Sequence, residues 1–582
     1  MTTVATAPQS PRKLPPVLGR LLTGTFWLAL RTPLQVVFAL WTIPLILGAI
    51  GPKLMGAYWF AWGFGFFQLL FEFGMSSALQ RQVSETWARG DRAGVDRAVA
   101  CGMNFYAAMA LVQVAALAAL AYGALPFSEF STDAAAHRLV SKLTRLQALP
   151  VPFRGAFAAP ACADFLTDLV AYRLILKLLW LQAVTAPFYG LSTVVSSVLQ
   201  AARRYDFLPR LELAVVVLRF AVLWAGVHAG VDFFAIVVAQ TLMQIALIIA
   251  PALWVMVREL GHVPRFRGAR LDDYRALVHI SFYMFLIQLS VVLADRIDTT
   301  ILGFALNDPG PANAVYQVVS KPFTQVRQSG WTLAYMVMPA VASLVAARDE
   351  RSLDRLKYDG TRLHLAMLLP VALLAAVHAG PFLTLWVGDK LGYDAAEHAG
   401  LLRLFLVATI PLVLAIPVQM AFGMNKPEVV ALAALAGSLV NLPLSFFLTW
   451  RMQSVAGVIW GTVLTTLFSN LLVPGVYVFR VLGIRPRAFL LRTLSAPLAG
   501  AAVMLAVALT LRAAYPLHPS PRGGMSLIRW LPLVGHLAAD CLAYAAGYLA
   551  MPAGRADLAE AVRKFRRRAA AGTTESLPGP VS

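Results

Sequence analysis

Two otherwise apolar stretches of this chain contain polar side chains that could bind a charged ligand. The stretch QVVSKPFTQVRQSG, Gln317 to Gly330, carries one cation at Lys321 and another at Arg327. On a helical wheel, one half of this segment is polar and the other half is apolar. The polar half and its edge comprise Gln317, Ser320, Lys321, Thr324, Gln325, Arg327, Gln328 and Thr332. Arginine forms bidentate hydrogen bonds with phosphate oxygens, so this pattern favours an anion-binding surface.

A further cation lies near the middle of the first apolar stretch. Arg31 stands there, and Gln35 follows it by one helical turn on the same face. A charge so far from either end of an apolar helix cannot easily reach water, which favours a position facing protein or a polar cavity. The candidate residues for binding an anionic substrate group are therefore Arg31, Gln35, Lys321, Gln325, Arg327 and Gln328.

Three carboxylates occur in comparable apolar surroundings. Glu72 interrupts an aromatic run, and Asp295 lies one helical turn before Asp298 on the same face. A continuous helix over 57–80 would place Glu72 about 22 Å from its outer end, without a local ion pair. These carboxylates could be structural counterions, or they could bind H+ or Na+ as a coupling ion, because partial burial favours protonation of a carboxyl group. Both roles remain open.

The composition identifies the kind of element that must position these residues. Of 582 residues, 59% are hydrophobic and 13% are charged, and the mean hydropathy is +0.69. Such values are typical of a membrane protein, and spanning the hydrocarbon takes roughly 20 apolar helical residues. About fourteen such helices are predicted, an all-α polytopic fold. Their predicted bounds are 21–47, 57–80, 99–123, 177–200, 211–229, 231–257, 276–305, 314–346, 363–386, 399–424, 428–449, 455–480, 491–513 and 529–550.

The net charge of +20 does not indicate nucleic-acid binding. Lys and Arg concentrate in alternate loops and in both tails, as the positive-inside rule requires when both termini are cytoplasmic. The three cysteines are scattered, and no histidine pairs with Cys or Glu at zinc spacing. We therefore expect no catalytic, cofactor or metal site. The arginine-rich stretch RKFRRRAAAG near the C-terminus is typical of a segment that contacts anionic lipid headgroups, or it could bind a synthesis partner.

Two pairs of similar stretches predict an internal repeat. ILGAIGPKLMGAY resembles ILGFALNDPGPANAVY, and RGDRAGVDR resembles RDERSLDR, with Arg89 matched to Arg348. Both pairs fall at equivalent helix ends, which predicts two six-helix lobes related as parallel repeats. The predicted organisation is a cytoplasmic tail (1–20), an N-lobe (21–257) with an outer insertion (about 124–173), a linker (258–275), a C-lobe (276–480), two further helices (481–550) and a basic cytoplasmic tail (551–582).

The stretch GPKLMGAYWFAWGFGFFQLLFEFGMSSALQRQVSE resembles the second-helix region of the polysaccharide flippases, which belong to the MATE-like MOP exporter superfamily. The family pattern falls on Gly51, Gly56, Tyr58, Glu72, Gly74, Ala78, Arg81 and Glu85. Glu72 replaces the more usual Asp of that pattern. MPAVASLVA and AFGMNKPEVVALAALAGSLVNLPLSFFLTWRMQSVAGVIWGTVL are also similar to the family.

The resemblance implies a transporter of the bacterial inner membrane and not an enzyme. It would flip an undecaprenyl-diphosphate-linked oligosaccharide by alternating access, for surface polysaccharide synthesis. Membrane lipids and polysaccharide synthesis proteins would be its partners, and it would need no cofactor beyond a coupling H+ or Na+. In this mechanism, Arg31, Lys321 and Arg327 would attract the diphosphate.

Three alternatives stay open. A lipid II flippase would share the helix layout, and a multidrug exporter of the same superfamily would favour acidic and aromatic cavity residues over cations. A membrane glycosyltransferase or polymerase would need acidic residues in an outer loop. Asp133, Asp164 and Asp168 in the long predicted loop keep that option open.

Overall fold

The computed structural model describes residues 16–65, 72–73, 75–127, 132–147, 151–202, 204, 207–269, 274, 289–290, 293, 297–335, 337, 341, 344–345, 348–391, 395–424, 426, 428–517 and 527–573. Helices are the regular structure throughout these ranges, and no strand occurs in them. Two compact units divide the chain, Met1–Val292 and Leu293–Ser582. The predicted all-α, polytopic fold is confirmed.

In the first unit the helices follow one another along the chain. They are α1 (Pro16–Gly63), α2 (Met75–Ala88), α3 (Arg92–Ala119), α4 (Thr132–Gln147), α5 (Val151–Ala201), α6 (Phe207–His228) and α7 (Phe233–Trp254). A core of small and aliphatic side chains joins α2, α3, α5 and α7, with Val83, Val99, Val195 and Met256 fully or almost fully buried.

In the second unit several helices are short because turns, π-helical segments or a 3-10 segment interrupt them. They are α8 (Asp298–Ala305), α9 (Pro309–Tyr335), α10 (Glu350–Arg355), α11 (Thr361–Val377), α12 (Ala379–Trp386), α13 (Ala399–Val407), α14 (Ala415–Gly423), α15 (Glu428–Met452), α16 (Val455–Thr466), α17 (Val473–Val481), α18 (Pro486–Ala488), α19 (Ser495–Ala514), α20 (Leu527–Ala550) and α21 (Pro552–Thr573).

The predicted count of fourteen spans is not established. Among the described residues, 11 helices are long and apolar enough to cross a membrane. The predicted seventh helix falls largely outside the described residues. The predicted eighth helix corresponds to α9. Because one face of α9 is polar, this helix is not among the 11 that are apolar enough to cross a membrane.

The predicted second helix, 57–80, is wrong as a continuous element. Helix α1 kinks at Gly51, where φ is 75°, and ends at Gly63; α2 begins at Met75. Phe73, just before α2, also has a positive φ of 49°. The buried amide of Gln182 on α5 donates a 2.9 Å hydrogen bond to the carbonyl of Ala61. The same carbonyl also accepts a 3.3 Å hydrogen bond from the backbone N–H of Phe64, so two donors satisfy it at the end of the helix.

The predicted fourth helix begins much earlier than expected. Helix α5 starts at Val151 instead of residue 177 and runs for 51 residues, or roughly 75 Å at 1.5 Å per residue. Part of the predicted outer loop is therefore helical. On α5, Asp168 binds Lys53 at 2.9 Å and Arg138 of α4 at 3.4 Å. These ion pairs attach α4 and α5 to the kinked part of α1.

The turns that follow the second and eighth predicted helices have the same conformation. Gly90 (φ 71°) and Arg348 (φ 53°) adopt the left-handed conformation, and Asp91 and Asp349 follow them. The backbone hydrogen bonds of the two turns correspond one by one. The structure therefore matches Gly90, not Arg89, with Arg348. The two turns are alike, and the arrangement of two six-helix lobes as parallel repeats stays a prediction.

Both aspartates cap the helix that follows. Asp91 accepts a 2.8 Å hydrogen bond from the backbone N–H of Gly94, and Asp349 accepts from the N–H and hydroxyl of Ser352. The side-chain hydrogen bond from Ser352 is the largest cause that lowers the pKa of the Asp349 carboxyl. The stability from this cap is therefore present above the ordinary carboxyl pKa and is lost as the pH falls through the lowered value.

The described part of the predicted linker packs on the first unit. His262 is buried, and its Nδ1 lies 2.7 Å from a carboxylate oxygen of Asp96. The amide of Asn104 donates to the carbonyl of Phe266 at 2.9 Å and to the Tyr274 hydroxyl at 3.0 Å. These contacts attach the residues that follow α7 to α3.

Helices α15 and α16 pack closely because Gly457 has no side chain. A Cβ added there would lie 2.5 Å from the backbone N and Cα of Thr449. We expect Gly457→Ala to lower the free energy of unfolding by about 1–3 kcal/mol. Thermal unfolding in detergent measures this change. Gly400→Ala is the matched control, since its added Cβ would meet nothing within 4 Å; equal stability of the two variants would contradict the packing argument.

Candidate functional site

The polar half of α9 divides into a buried part and a partly exposed part. Asn313 and Gln317, nearer the start of the helix, are buried at 0% and 6% exposure. Lys321 and Gln325 are half-buried, and Gln328 is exposed. The first part packs inside the second unit, whereas the second part presents polar groups that a ligand could reach. The structure thus brings Lys321, Gln325, Arg327 and Gln328 together on one stretch of α9.

An aromatic pair supports the Arg327 side chain. The guanidinium carbon lies 5.5 Å from the centre of the Phe323 ring, within the range of a cation–π interaction. Phe323 is buried and packs edge-to-face on Phe405 of α13, with ring centres 4.3 Å apart. Phe323 and Arg327 are one helical turn apart, so the packed ring restricts where the cation can lie. Pro322 lies inside this helix, next to both Lys321 and Phe323.

Asp298 is buried at 2% exposure, whereas Glu72 is half-buried. Asp298 is the first residue of α8, and the Tyr316 hydroxyl of α9 donates to its Oδ2 at 2.6 Å. The Thr462 hydroxyl of α16 lies 3.5 Å from the same oxygen. One carboxylate therefore joins three helices of the second unit. The sequence analysis found Asp298 but missed both hydroxyl partners.

The polar residues on α16 are explained mainly by packing. Thr465 donates to the side-chain oxygen of Asn441 on α15 at 3.2 Å, and Ser445 donates to the same oxygen at 2.9 Å. All three side chains are buried. Small polar residues that bond across neighbouring helices are common in membrane bundles. This network holds α16 in the position from which Thr462 reaches Asp298.

Glu72 has a partner that the sequence analysis missed. The Tyr106 hydroxyl of α3 lies 3.2 Å from Oε1 of Glu72 and donates to it. Glu72 is half-buried and stands in the turn before α2, so its depth cannot be calculated from a continuous helix. Each unit thus contains a carboxylate at the start of a helix segment that accepts a tyrosine hydroxyl, Glu72 with Tyr106 and Asp298 with Tyr316.

Three predicted site residues cannot be placed. Asp295 lies outside the described residues. The backbone of Arg31 and Gln35 belongs to α1, but their side chains are not described. They remain predictions. Within the described part of the chain, no group of three or more His, Cys, Asp or Glu residues could hold a metal ion.

Comparison with known sequences gives two partial matches. Residues 153–392 match a family described as "Polysaccharide biosynthesis protein". The uncharacterized membrane protein EpsK of Bacillus subtilis (strain 168) is 27% identical over 209 residues, which is 35% of this chain and 39% of that protein. The matched segment therefore spans well under half of that relative.

Comparison with solved structures covers most of the chain. The lipid II flippase MurJ, in an inward closed conformation, aligns with a TM-score of 0.58 and 13% identity over 90% of this chain and 98% of that one. An inward-facing multidrug resistance MATE family transporter of the MOP superfamily aligns with a TM-score of 0.57 and 11% identity over 78% and 96%. The chain is a multi-pass membrane protein with the fold of the MOP-superfamily transporters. Its similarity to a polysaccharide biosynthesis family over residues 153–392 confirms the predicted resemblance to that extent.

Proposed function

We propose that this protein flips an undecaprenyl-diphosphate-linked oligosaccharide from the inner to the outer leaflet of the bacterial inner membrane, for surface polysaccharide synthesis. The observation that carries the proposal is the partly exposed cationic face of α9, where Lys321 and Arg327 lie six residues apart on a helix of the transporter fold. A phosphate-rich headgroup needs such a face, because hydrocarbon cannot solvate its charge.

The two cations suit a diphosphate in different ways. Arg327 offers a planar fork of donors that its contact with Phe323 helps to orient. Lys321 is a point charge on a flexible chain. Gln325 and Gln328, on the same stretch of α9, can donate to sugar or phosphate oxygens. The polyprenyl tail would stay in the hydrocarbon while the headgroup moves by alternating access.

The proposed topology places both termini in the cytoplasm. Helix α21 follows the last predicted span and carries basic residues such as Arg555 and Arg563, which would lie against anionic headgroups of the inner leaflet. A polysaccharide synthesis protein could bind the same segment.

A lipid II flippase is the second candidate, favoured by the similarity in fold to MurJ over nearly the whole of that structure. Both substrates carry a diphosphate, so the face on α9 would serve either one. A multidrug exporter fits less well, because a cationic face repels organic cations. The two candidate flippases therefore differ in the glycan that their lipid substrate carries.

The test uses purified protein in vesicles that contain undecaprenyl-diphosphate-linked oligosaccharide or lipid II. A soluble hydrolase outside the vesicles reports how fast each lipid arrives in the outer leaflet. We expect Lys321→Gln and Arg327→Gln to slow flipping of the oligosaccharide lipid by about tenfold each, which corresponds to about 1.4 kcal/mol of lost interaction. A triple variant that also carries Arg31→Gln should be slower still.

Arg355→Gln is the matched control, since Arg355 is an exposed arginine of the same unit at the end of α10. Its flipping rate should equal that of the unmodified protein. An unchanged rate in the triple variant would exclude the diphosphate role. Flipping of lipid II in preference to the oligosaccharide lipid would favour the second candidate.

A further inference from the structure

A buried histidine–aspartate pair lies away from α9. His378 stands at the break between α11 and α12 and is 4% exposed. Its Nε2 lies 2.7 Å from Oδ2 of Asp540 on α20, and Asp540 is completely buried. The predicted ninth helix, 363–386, is therefore interrupted at the residue that makes this contact.

The position of Asp540 makes a purely structural ion pair with His378 unfavourable in free energy. It lies about 20 Å along α20 from Leu527 and about 15 Å from Ala550, near the middle of a candidate membrane span. A buried ion pair there loses several kcal/mol of hydration per ion. Oδ1 of Asp540 has no hydrogen-bond partner among the described residues, so a single imidazole supports the carboxylate.

A second imidazole lies beside the pair. His536 precedes Asp540 by one turn of α20, and its ring centre is 6.0 Å from that of His378. Nδ1 of His536 is buried and lacks a hydrogen-bond partner in the described part of the chain. Histidine is the side chain whose ordinary titration falls near neutral pH. One carboxylate and two imidazoles thus lie close together, with His378 and Asp540 buried and His536 partly exposed.

Titratable groups also occur on the elements packed around the site. Glu397 and His398 lie in the short helical segment Ala395–His398, which packs on α12. Helix α12 has no titratable side chain, and the described contact from α13 is Arg403, which donates to the carbonyl of Ala376 and is exposed. Arg512 on α19 is exposed at the end of its helix. On α20, Tyr544 lies one turn beyond Asp540, and its hydroxyl is buried without a described partner.

We propose that His378, Asp540 and His536 form a proton-binding site that is separate from the cationic face of α9. With one proton the His378–Asp540 pair is electrically neutral. A second proton, delivered by water through the partly exposed His536, gives the cluster a net positive charge; its release to water restores neutrality. In the proposed topology His536 lies on the outer side of Asp540, so the site exchanges protons with the outside. The contact between α12 and α20 then depends on the outer pH.

Nitrogen NMR of the full chain in lipid, with 15N-labelled histidine, tests this site without any substrate. The chain has nine histidines, and the signals of His378 and His536 are identified as those that disappear in His378→Gln and His536→Gln. In the unmodified protein we expect the His378 signal to titrate in two coupled steps. Asp540→Asn should change this titration, because it removes the carboxylate that lies 2.7 Å from Nε2 of His378. A His378 signal that is constant at every pH at which the protein is folded would overturn the proposal.

Two variants serve as controls for misfolding. Asp389→Asn removes an exposed carboxylate of the same unit and should leave the midpoint unchanged. His536→Gln keeps the pair intact and should reduce the two steps of His378 to one. Two remaining steps in His536→Gln would exclude the second imidazole from the site. Because no lipid-linked sugar is involved, failure here is distinguishable from failure of the proposed transport function.

Discussion

Asp298→Leu is expected to lower the free energy of unfolding by about 2–4 kcal/mol and to abolish transport. The substitution leaves the hydroxyls of Tyr316 and Thr462 without their shared acceptor in a buried position, and each buried donor without a partner costs about 1–3 kcal/mol. The three helices that meet at this carboxylate, α8, α9 and α16, would separate or repack. Thermal unfolding in detergent and flipping in vesicles measure the two effects.

Asp298→Asn separates the structural role from an ion-binding role. Its side-chain oxygen can still accept from Tyr316, so stability should fall much less than in Asp298→Leu, while the negative charge is lost. If Asp298 binds H+ or Na+, transport driven by an ion gradient should stop in this variant although the protein remains folded. Normal ion-driven transport by a folded Asp298→Asn protein would leave Asp298 as a structural residue. Tyr316→Phe serves as the control that removes the donor and keeps the charge.

Arg362→Gln is expected to lower the free energy of unfolding by about 3–5 kcal/mol, because it leaves a largely buried carboxylate without its ion pair. Arg362 is 6% exposed and donates to both oxygens of Asp557, at 2.8 and 2.6 Å. It also donates to Asp359 and to the carbonyl of Arg492. Tyr548 donates to Asp557 as well. This one guanidinium therefore attaches α21 and the residues before α19 to the start of α11.

Arg362→Lys should recover only part of that loss, since lysine cannot make the bidentate contact with Asp557. The double variant Arg362→Met with Asp557→Leu should be more stable than Arg362→Gln, because it leaves no largely buried carboxylate unpaired; the Asp359 side chain, 36% exposed, keeps contact with water. Thermal unfolding of the variants in one detergent provides the comparison, and Arg355→Gln is the exposed control. Equal stability of Arg362→Gln and Arg355→Gln would contradict the structural role of this cluster.

Hydropathy predicted most helices within a few residues because lipid-facing positions must be apolar. The prediction of 211–229 corresponds to α6, and that of 428–449 corresponds to α15. It failed where tertiary contacts decide the backbone. The break before α2 is supported by Gln182, a residue of α5 that is 121 positions away from the carbonyl it binds. The early start of α5 was missed because this part of the helix is not uniformly apolar.

The candidate site was predictable only in part for the same reason. A helical wheel was enough to place Lys321 on the polar half of one helix and Arg327 at the edge of that half. The partners of Asp298 could not be predicted in this way, because Thr462 is 164 positions away in the sequence. Likewise, His378 and Asp540 are 162 positions apart, and each alone resembles an isolated polar residue in an apolar run.

The most direct test of the central claim is the leaflet distribution of lipid-linked oligosaccharide in cells that produce this protein. A membrane-impermeant hydrolase or lectin applied to spheroplasts and to inverted membrane vesicles measures how much of the lipid faces each side. Cells with the triple variant of Arg31, Lys321 and Arg327 should accumulate the lipid on the inner leaflet, and cells with Arg355→Gln should not. An unchanged distribution in the triple variant, or accumulation of lipid II alone, would contradict the proposed flipping of an undecaprenyl-diphosphate-linked oligosaccharide.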